Sequence, residues 1–461
     1  MSFFVRFYAK IISNRNMEID DESNICFDGN QTNSIRQMFY CRGKKFGTVK
    51  NTQTIFWLGI MSTSEPTELI LLPSLKATRG PRGGLVLTEK YLNGAAMFAK
   101  NWPGQVTSLV QLDTVPTTDM DHIEILPGEA KTNVELRPES KEGLTARLQS
   151  AAIALVFLSP NEMLTAQICQ SLGLPVVFIS EYSPQTERQM VECQTRNPIL
   201  RWRRNLWNRQ AEKLRLKMLL MAAGLQCSGT PTYEHYQGLT QRNLLFFDNR
   251  VSQEKVISDD EFARKTSEMA AEKPLRLVFG GRLVSMKGVQ DLPRFAKALQ
   301  DRKVPFTLDI YGCGPLETSL EQQIQGLDLS NVVRLCGARD FETGWLPILK
   351  QQVDLFICCH PQGDPSCTYP EVMSCGVPIA GYDNEAFCGI VAHSQGGWLS
   401  PSHDLDKLAD TVARLHKDRV ELIATAGRAR AFAKQHAFEL TMARRTAHLI
   451  ETSRLPELLR I

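Results

Sequence analysis

Five short apolar runs in the second half of the chain constrain its fold more than any other feature. They are Leu275–Phe279, Phe306–Tyr311, Val332–Leu335, Leu355–Cys358 and Val377–Ala380, with helical periods such as Leu316–Ile324 and Leu405–Leu415 near or between them. Each run is continuous rather than alternating, so both of its faces are covered, as in a parallel sheet under helices. Each ends in a polar or glycine turn. The pattern gives an α/β fold, a doubly wound sheet with a crevice at the carboxyl ends of its strands.

The first half repeats the theme more loosely. The body starts with a strand at Thr54–Ile60 or at Glu68–Leu72; the loop Thr78–Gly84 and a helix-like segment Leu85–Lys100 come next. The apolar runs Ile153–Leu158 and Pro175–Ser180 follow. A chain of 461 residues suits two or three domains. The expected division is an N-terminal extension over 1–53, a Rossmann-like domain over 54–255 and a polar linker over 256–274. A second Rossmann-like domain then covers 275–435, and a helix over 436–461 is long enough to cross back to the first domain.

Charge narrows the partners. With 53 Lys+Arg against 50 Asp+Glu, the net +3 provides no global field for nucleic acid. The 12 cysteines form no C-x-x-C pair, which leaves reduced thiols in a cytoplasmic compartment as the expectation. No apolar stretch reaches the ~18–20 residues of a membrane span. The N-terminal segment, interrupted by Arg6 and Lys10, reads as no signal peptide.

Three elements carry chemistry. In Leu277-Val-Phe-Gly-Gly-Arg-Leu-Val-Ser-Met-Lys-Gly288, a strand runs into Gly280 and Gly281, and Arg282 and Lys287 follow five residues apart. Two cations beside permissive backbone suit a diphosphate. In Tyr311-Gly-Cys-Gly-Pro315, Gly312 and Gly314 allow close backbone approach ahead of a helix. In His360–Pro378, Glu371 opens a short helix, where its carboxylate suits the two hydroxyls of a ribose.

In this order and on this strand pattern, the three elements resemble the retaining glycosyltransferases of family 4, which have the GT-B fold of two Rossmann-like domains facing across a cleft. The likeness covers about residues 275–435. It includes Leu335-Cys-Gly337, Val353-Asp-Leu-Phe, Pro-Glu-Val-Met-Ser-Cys-Gly-Val-Pro378, Gly381-Tyr-Asp-Asn-Glu385 and Gly396-Gly-Trp-Leu. The resemblance implies that Gly281, Arg282 and Lys287 hold the donor diphosphate and that Glu371 holds the ribose. It places Cys336 and Gly337 beside the base and Glu385 on the phosphate side. The family pattern has a second Glu eight residues before Glu371. Gly363 stands there, so either Asp364 replaces that carboxylate or the role is vacant.

In the first domain, Gly80-Pro-Arg-Gly-Gly84 resembles the family's glycine-rich loop, with Arg82, Gly83 and Gly84 as contacts to donor phosphates and acceptor. Neither His122 nor His235 fits the family's sugar-side histidine. Glu181, at a strand's carboxyl end, is a candidate to face the cleft. Asp119-Met-Asp121 has metal-motif spacing but lies in a polar loop, so neither metal nor other cofactor is expected.

The segment Arg196–Lys217 holds eight Lys/Arg, with Trp202 and Trp207 among them, against the single acid Glu212. It reads either as a solvated helix or as a contact with an anionic membrane surface. The resulting expectation is a hexosyltransferase-type enzyme. It moves sugar from a nucleotide-sugar to a glycan or lipid-linked acceptor in surface polysaccharide or glycolipid synthesis. A binding scaffold and a nucleotide-sugar epimerase are the alternatives on the same fold.

Overall fold

The structure is a computed structural model in which residues 67–115, 121–271 and 273–453 are described, with an antiparallel pairing of Tyr40–Cys41 and Lys44–Lys45. Residues 54–60, the first of the two strand candidates, lie outside the described residues, as does most of the expected 1–53 extension.

The body contains two sheets. The first is built from β1 Glu68–Leu72, β2 Lys76–Arg79, β3 Leu85–Thr88, β4 Val106–Leu112, β5 His122–Ile125, β6 Asn133–Leu136, β7 Ala151–Phe157, β8 Val176–Ser180, β9 Gly224–Ser228 and β10 Asn243–Phe246. Its order is β10-β9-β8-β7-β1-β4-β2-β3-β5, with β6 also paired to β4. The run from β10 to β4 is parallel, and β3 is antiparallel to both β2 and β5. The second sheet contains β11 Leu275–Gly280, β12 Phe306–Tyr311, β13 Val333–Gly337, β14 Leu355–Cys358, β15 Ile379–Tyr382 and β16 Gly397–Ser400. Its order is β13-β12-β11-β14-β15-β16, parallel throughout.

Continuous burial explains the continuous apolar runs. Ala151 to Val156 are all buried in β7, and every residue of β14 is buried. Helices cover both faces, as the crossover connections of parallel strands require. The final helix, Phe438–Thr452, puts Met442 and Leu449 against Leu69, Leu71 and Phe98 of the first lobe. Arg445 donates to Gln226 Oε1 at 2.9 Å from the same helix.

Two expectations need correction. Leu85–Thr88 is a strand, and the helix begins after it at Glu89, where Thr88 Oγ1 accepts from the Tyr91 N–H. Four residues of β-branched and leucine character pair with β2 and β5 before the helical period starts. Residues 259–270, expected within a linker, form a helix of the second lobe. Ser258 and Glu261 close a reciprocal cap at its start. Phe262 and Met269 pack inward, and the buried Lys265 donates to the Leu349 carbonyl at 2.5 Å. The polar surface of an amphipathic helix gave this segment its linker-like composition. The chain instead crosses between lobes just after β10, where Phe247, Val251 and Val256 already belong to the second core.

Candidate functional site between the two lobes

The site forms where β11, β12 and β13 end side by side. The turns after these strands pack back to back. Leu283 N–H donates to the Cys313 carbonyl at 2.9 Å, and Gly312 N–H to the Gly337 carbonyl at 3.0 Å. Gly312 has φ +130°, and a Cβ on it would lie 1.9 Å from the Gly281 carbonyl oxygen, so only glycine fits. Cys336 sits beside Tyr311 at this edge, and burial pushes the Tyr311 hydroxyl up to about 12. Arg339 covers the Tyr311 ring at 5.8 Å. Gly281, Gly312, Gly314, Cys336 and Gly337 thus form one rim.

The two cations differ. Arg282 is exposed, and its side chain has no hydrogen-bond or ion-pair partner among the described residues. Its charge bears on Tyr182 of the first lobe and on Asp364. Lys287 lies one turn on, only 9% exposed, and donates to Asp364 Oδ2 at 2.6 Å. Burial works against the Asp364 charge, but Lys287 and Arg282 hold its carboxyl below the usual range. The neighbouring His360 is pushed down to about 3 by burial and by Lys287, so it is neutral and pairs with the Tyr369 hydroxyl at 3.3 Å.

Gly363 is pinned from the first lobe. Its N–H donates to Gln189 Oε1 at 3.0 Å, and its carbonyl accepts from Thr186 Oγ1 at 3.2 Å. A Cβ there would meet Thr186 Oγ1 at 2.9 Å and the Glu385 side chain at 3.1 Å. A side chain at this position would crowd Thr186 and Glu385, and the carboxylate sits one residue later, at Asp364. Glu385 itself accepts from Ser183 Oγ at 3.0 Å and from Thr186 Oγ1 at 3.4 Å, which ties the lobes together.

Glu371 is 2% exposed and already engaged. Arg250 Nε donates to its Oε1 at 2.6 Å, and Arg250 also stacks over Phe341 at 3.9 Å. Nearby, Lys90 Nζ donates to Asp248 Oδ2 at 2.6 Å. Glu181 faces this cluster. Burial, with Asp364 and Asp248 adding repulsion, pushes its carboxyl up to about 7 despite Lys90. A cavity lined by Gly229, Phe247, Asp248, Ser366, Tyr369 and Ala386 opens between the lobes beside these groups.

The first-lobe loop is placed differently. The Glu124 carboxylate accepts from the N–H groups of both Arg82 and Gly84 at 2.9 Å, and Arg82 Nη2 donates to the Glu124 carbonyl at 2.7 Å. Gly83 receives Arg79 on its carbonyl. The hydrogen bonds of Arg82, Gly83 and Gly84 thus run within the first lobe. His235 is bound to Glu212, while His122 lies in β5 and Asp121 caps the start of the Glu89 helix.

Sequence reading missed Arg250, Lys90, Asp248 and the Ser183–Thr186 clamp. A signal existed for two of them: Asp248 and Arg250 follow the buried Phe246 and Phe247, so charge appears abruptly at a strand's carboxyl end.

Comparisons fit this geometry. Residues 260–435 match the family model described as Glycosyl transferases group 1. This segment is similar to the group 1 glycosyl transferases. The chain is 25% identical over 201 residues to the amylovoran biosynthesis glycosyltransferase AmsK of Erwinia amylovora, covering 42% of this chain and 49% of that protein. It is also 25% identical over 195 residues to the putative colanic acid biosynthesis glycosyltransferase WcaL of Salmonella typhimurium, covering 40% and 47%. The chain spans about half the length of the curated relatives it matches. Among solved structures, Anabaena HepE in complex with UDP superposes with a TM-score of 0.57 at 14% identity, over 84% of this chain and 100% of that one. The apo lipopolysaccharide outer core galactosyltransferase WaaB gives 0.57 at 13%, over 83% and 99%. The fold is GT-B.

Proposed function

We propose that this chain is a retaining, hexosyltransferase-type enzyme of family 4, moving a sugar from a nucleotide-sugar donor to a glycan or lipid-linked acceptor in exopolysaccharide synthesis. One observation carries the reading. Three glycine turns meet at the carboxyl ends of adjacent parallel strands, and there the chain sets an unpartnered Arg282 beside a buried Lys287, with Glu371 in the same cluster. The names of the relatives, and the UDP bound in the HepE structure, support the substrate class.

In this reading the bond between the anomeric carbon and the diphosphate oxygen breaks, and its electron pair leaves with the nucleotide. Arg282 and Lys287 stabilise that growing charge; a preorganised donor of this kind is worth roughly 3–4 kcal/mol. The acceptor hydroxyl enters from the first lobe, forms the new bond on the same face of the sugar and gives up its proton. Asp364 takes the place of the carboxylate that the family pattern has at Gly363 and holds Lys287 in position. Glu371 receives the ribose once Arg250 yields one of its oxygens. The two cations take the part a metal would play, so chelation should leave the rate unchanged.

The test is incubation of the purified chain with a panel of nucleotide-sugars, with and without a glycan acceptor. Sugar transfer that requires the acceptor, with the anomer retained in the product, supports the reading. A changed sugar without an acceptor indicates an epimerase. Nucleotide binding with no turnover on any pair indicates a scaffold.

A further inference from the structure

The helix Pro198–Leu219 packs one face on the first lobe and leaves the other without a partner. Ala211, Arg215, Met218 and Leu219 are buried. On the opposite side, Ile199, Arg203, Leu206, Lys213 and Lys217 recur at helical spacing, with Trp202 and Trp207 on the two flanks. Trp202 is 66% exposed and Trp207 is 59% exposed.

The charges are sorted by face. The only acid of the segment, Glu212, points inward and binds Arg215, His235 and Tyr236. Arg215 also pairs with Glu187. Arg201 and Arg204 donate to Thr195 and close the turn before the helix. Arg203, Arg209, Lys213 and Lys217 have no acidic partner among the described residues. The outward surface therefore combines large apolar side chains with cations and no anion.

We propose that this face docks on an anionic phospholipid bilayer. Charge complementarity favours a lipid surface over a protein. Protein interfaces deplete lysine at their centres, whereas here Lys213 and Lys217 lie on the same stripe as Leu206. Indole rings suit the headgroup boundary, where one edge is apolar and the other wet. The helix packs against Pro184–Gln194, whose Thr186 and Gln189 hold Gly363 of the candidate site. Docking there would set the interlobe cleft beside the bilayer, within reach of an acceptor carried on a lipid. The surface stands on its own observations and does not depend on sugar transfer.

Flotation of the full chain with vesicles tests this. Phosphatidylcholine vesicles containing phosphatidylglycerol should carry the protein, vesicles of phosphatidylcholine alone should not, and salt should release it. Lys213→Ala/Lys217→Ala should weaken binding about thirtyfold, at about 1 kcal/mol for each cation. Trp202→Ala/Trp207→Ala should weaken it as well, with unchanged circular dichroism and unchanged transfer to a water-soluble acceptor. Three results would overturn the proposal: no binding of the native chain at low salt, equal binding to neutral vesicles, or native-like binding by both double variants. Self-association in solution that the tryptophan variant abolishes would also overturn it, by assigning the face to a second copy.

Discussion

Two of the glycine-rich turns that follow strands in this chain carry an arginine: Arg82 in the first lobe and Arg282 in the second. In sequence they look alike. In the structure, Arg82 is bound by Glu124 through backbone and side chain, and Glu129 lies 3.5 Å from its guanidinium. The Glu124 carboxylate fills the concavity of the loop as a bound anion would. Arg282 has no such partner, and its neighbour Lys287 is held by a single carboxylate. A glycine turn with a cation offers itself to a ligand anion only when the protein has not already supplied one. Turn composition does not reveal that; the strand packed against the turn does.

Lys287→Ala should give the largest difference between the two turns. Transfer should fall about 10²–10³-fold. The change also strands the half-buried Asp364 charge, at a cost of up to about 3 kcal/mol in stability. Lys287→Met/Asp364→Asn should therefore recover the thermal midpoint without recovering transfer. Native-like transfer in the double variant would remove Lys287 from the chemistry. Glu371→Gln should weaken nucleotide affinity about tenfold, since a hydrogen bond to a charged group is worth about 1.5–3 kcal/mol. Equal affinity for ribose and deoxyribose nucleotides in the native chain would contradict that role.

The third prediction concerns pH. The Glu181 carboxyl is raised from 4.5 to about 7 in the folded chain. Its contribution to stability is fully present below pH 4.5 and is lost as pH rises through about 7. Glu181→Gln should flatten that part of the stability profile, with its thermal midpoint falling less than the native one between pH 5 and pH 8. Parallel profiles would place Glu181 in water. The smallest effect belongs to Arg82→Ala. Transfer should stay within about twofold and stability within about 1 kcal/mol, as for an exposed ion pair. A large loss of transfer would show that the first loop releases Glu124 to meet the donor.

Much of the second lobe was legible in the sequence because continuous burial writes continuous apolar runs. All five expected runs fall on β11–β15, with β13 and β15 shifted toward their carboxyl ends. The placement of Arg282 and Lys287 just past a strand end was legible, and so was that of Glu371 on a short helix. The partners of these residues were not. Lys90 comes from the first lobe and Asp248 and Arg250 from the crossing segment, and no local pattern ties Arg250 to a carboxylate 121 residues away. The helix at 259–270 was hidden for the opposite reason: its cap and two inward apolar residues are outnumbered by surface charge. The crowding of Gly363 by Thr186 and Glu385 was not legible either, since Thr186 comes from the first lobe.

Arg282, in no ion pair among the described residues, is assigned the grip on the donor diphosphate. Calorimetric titration of native chain and Arg282→Ala with a nucleoside diphosphate and with the matching nucleoside tests it most directly. The variant, with its fold unchanged, should lose about tenfold or more in affinity for the diphosphate and nothing for the nucleoside. Equal affinity of both proteins for the diphosphate would contradict it.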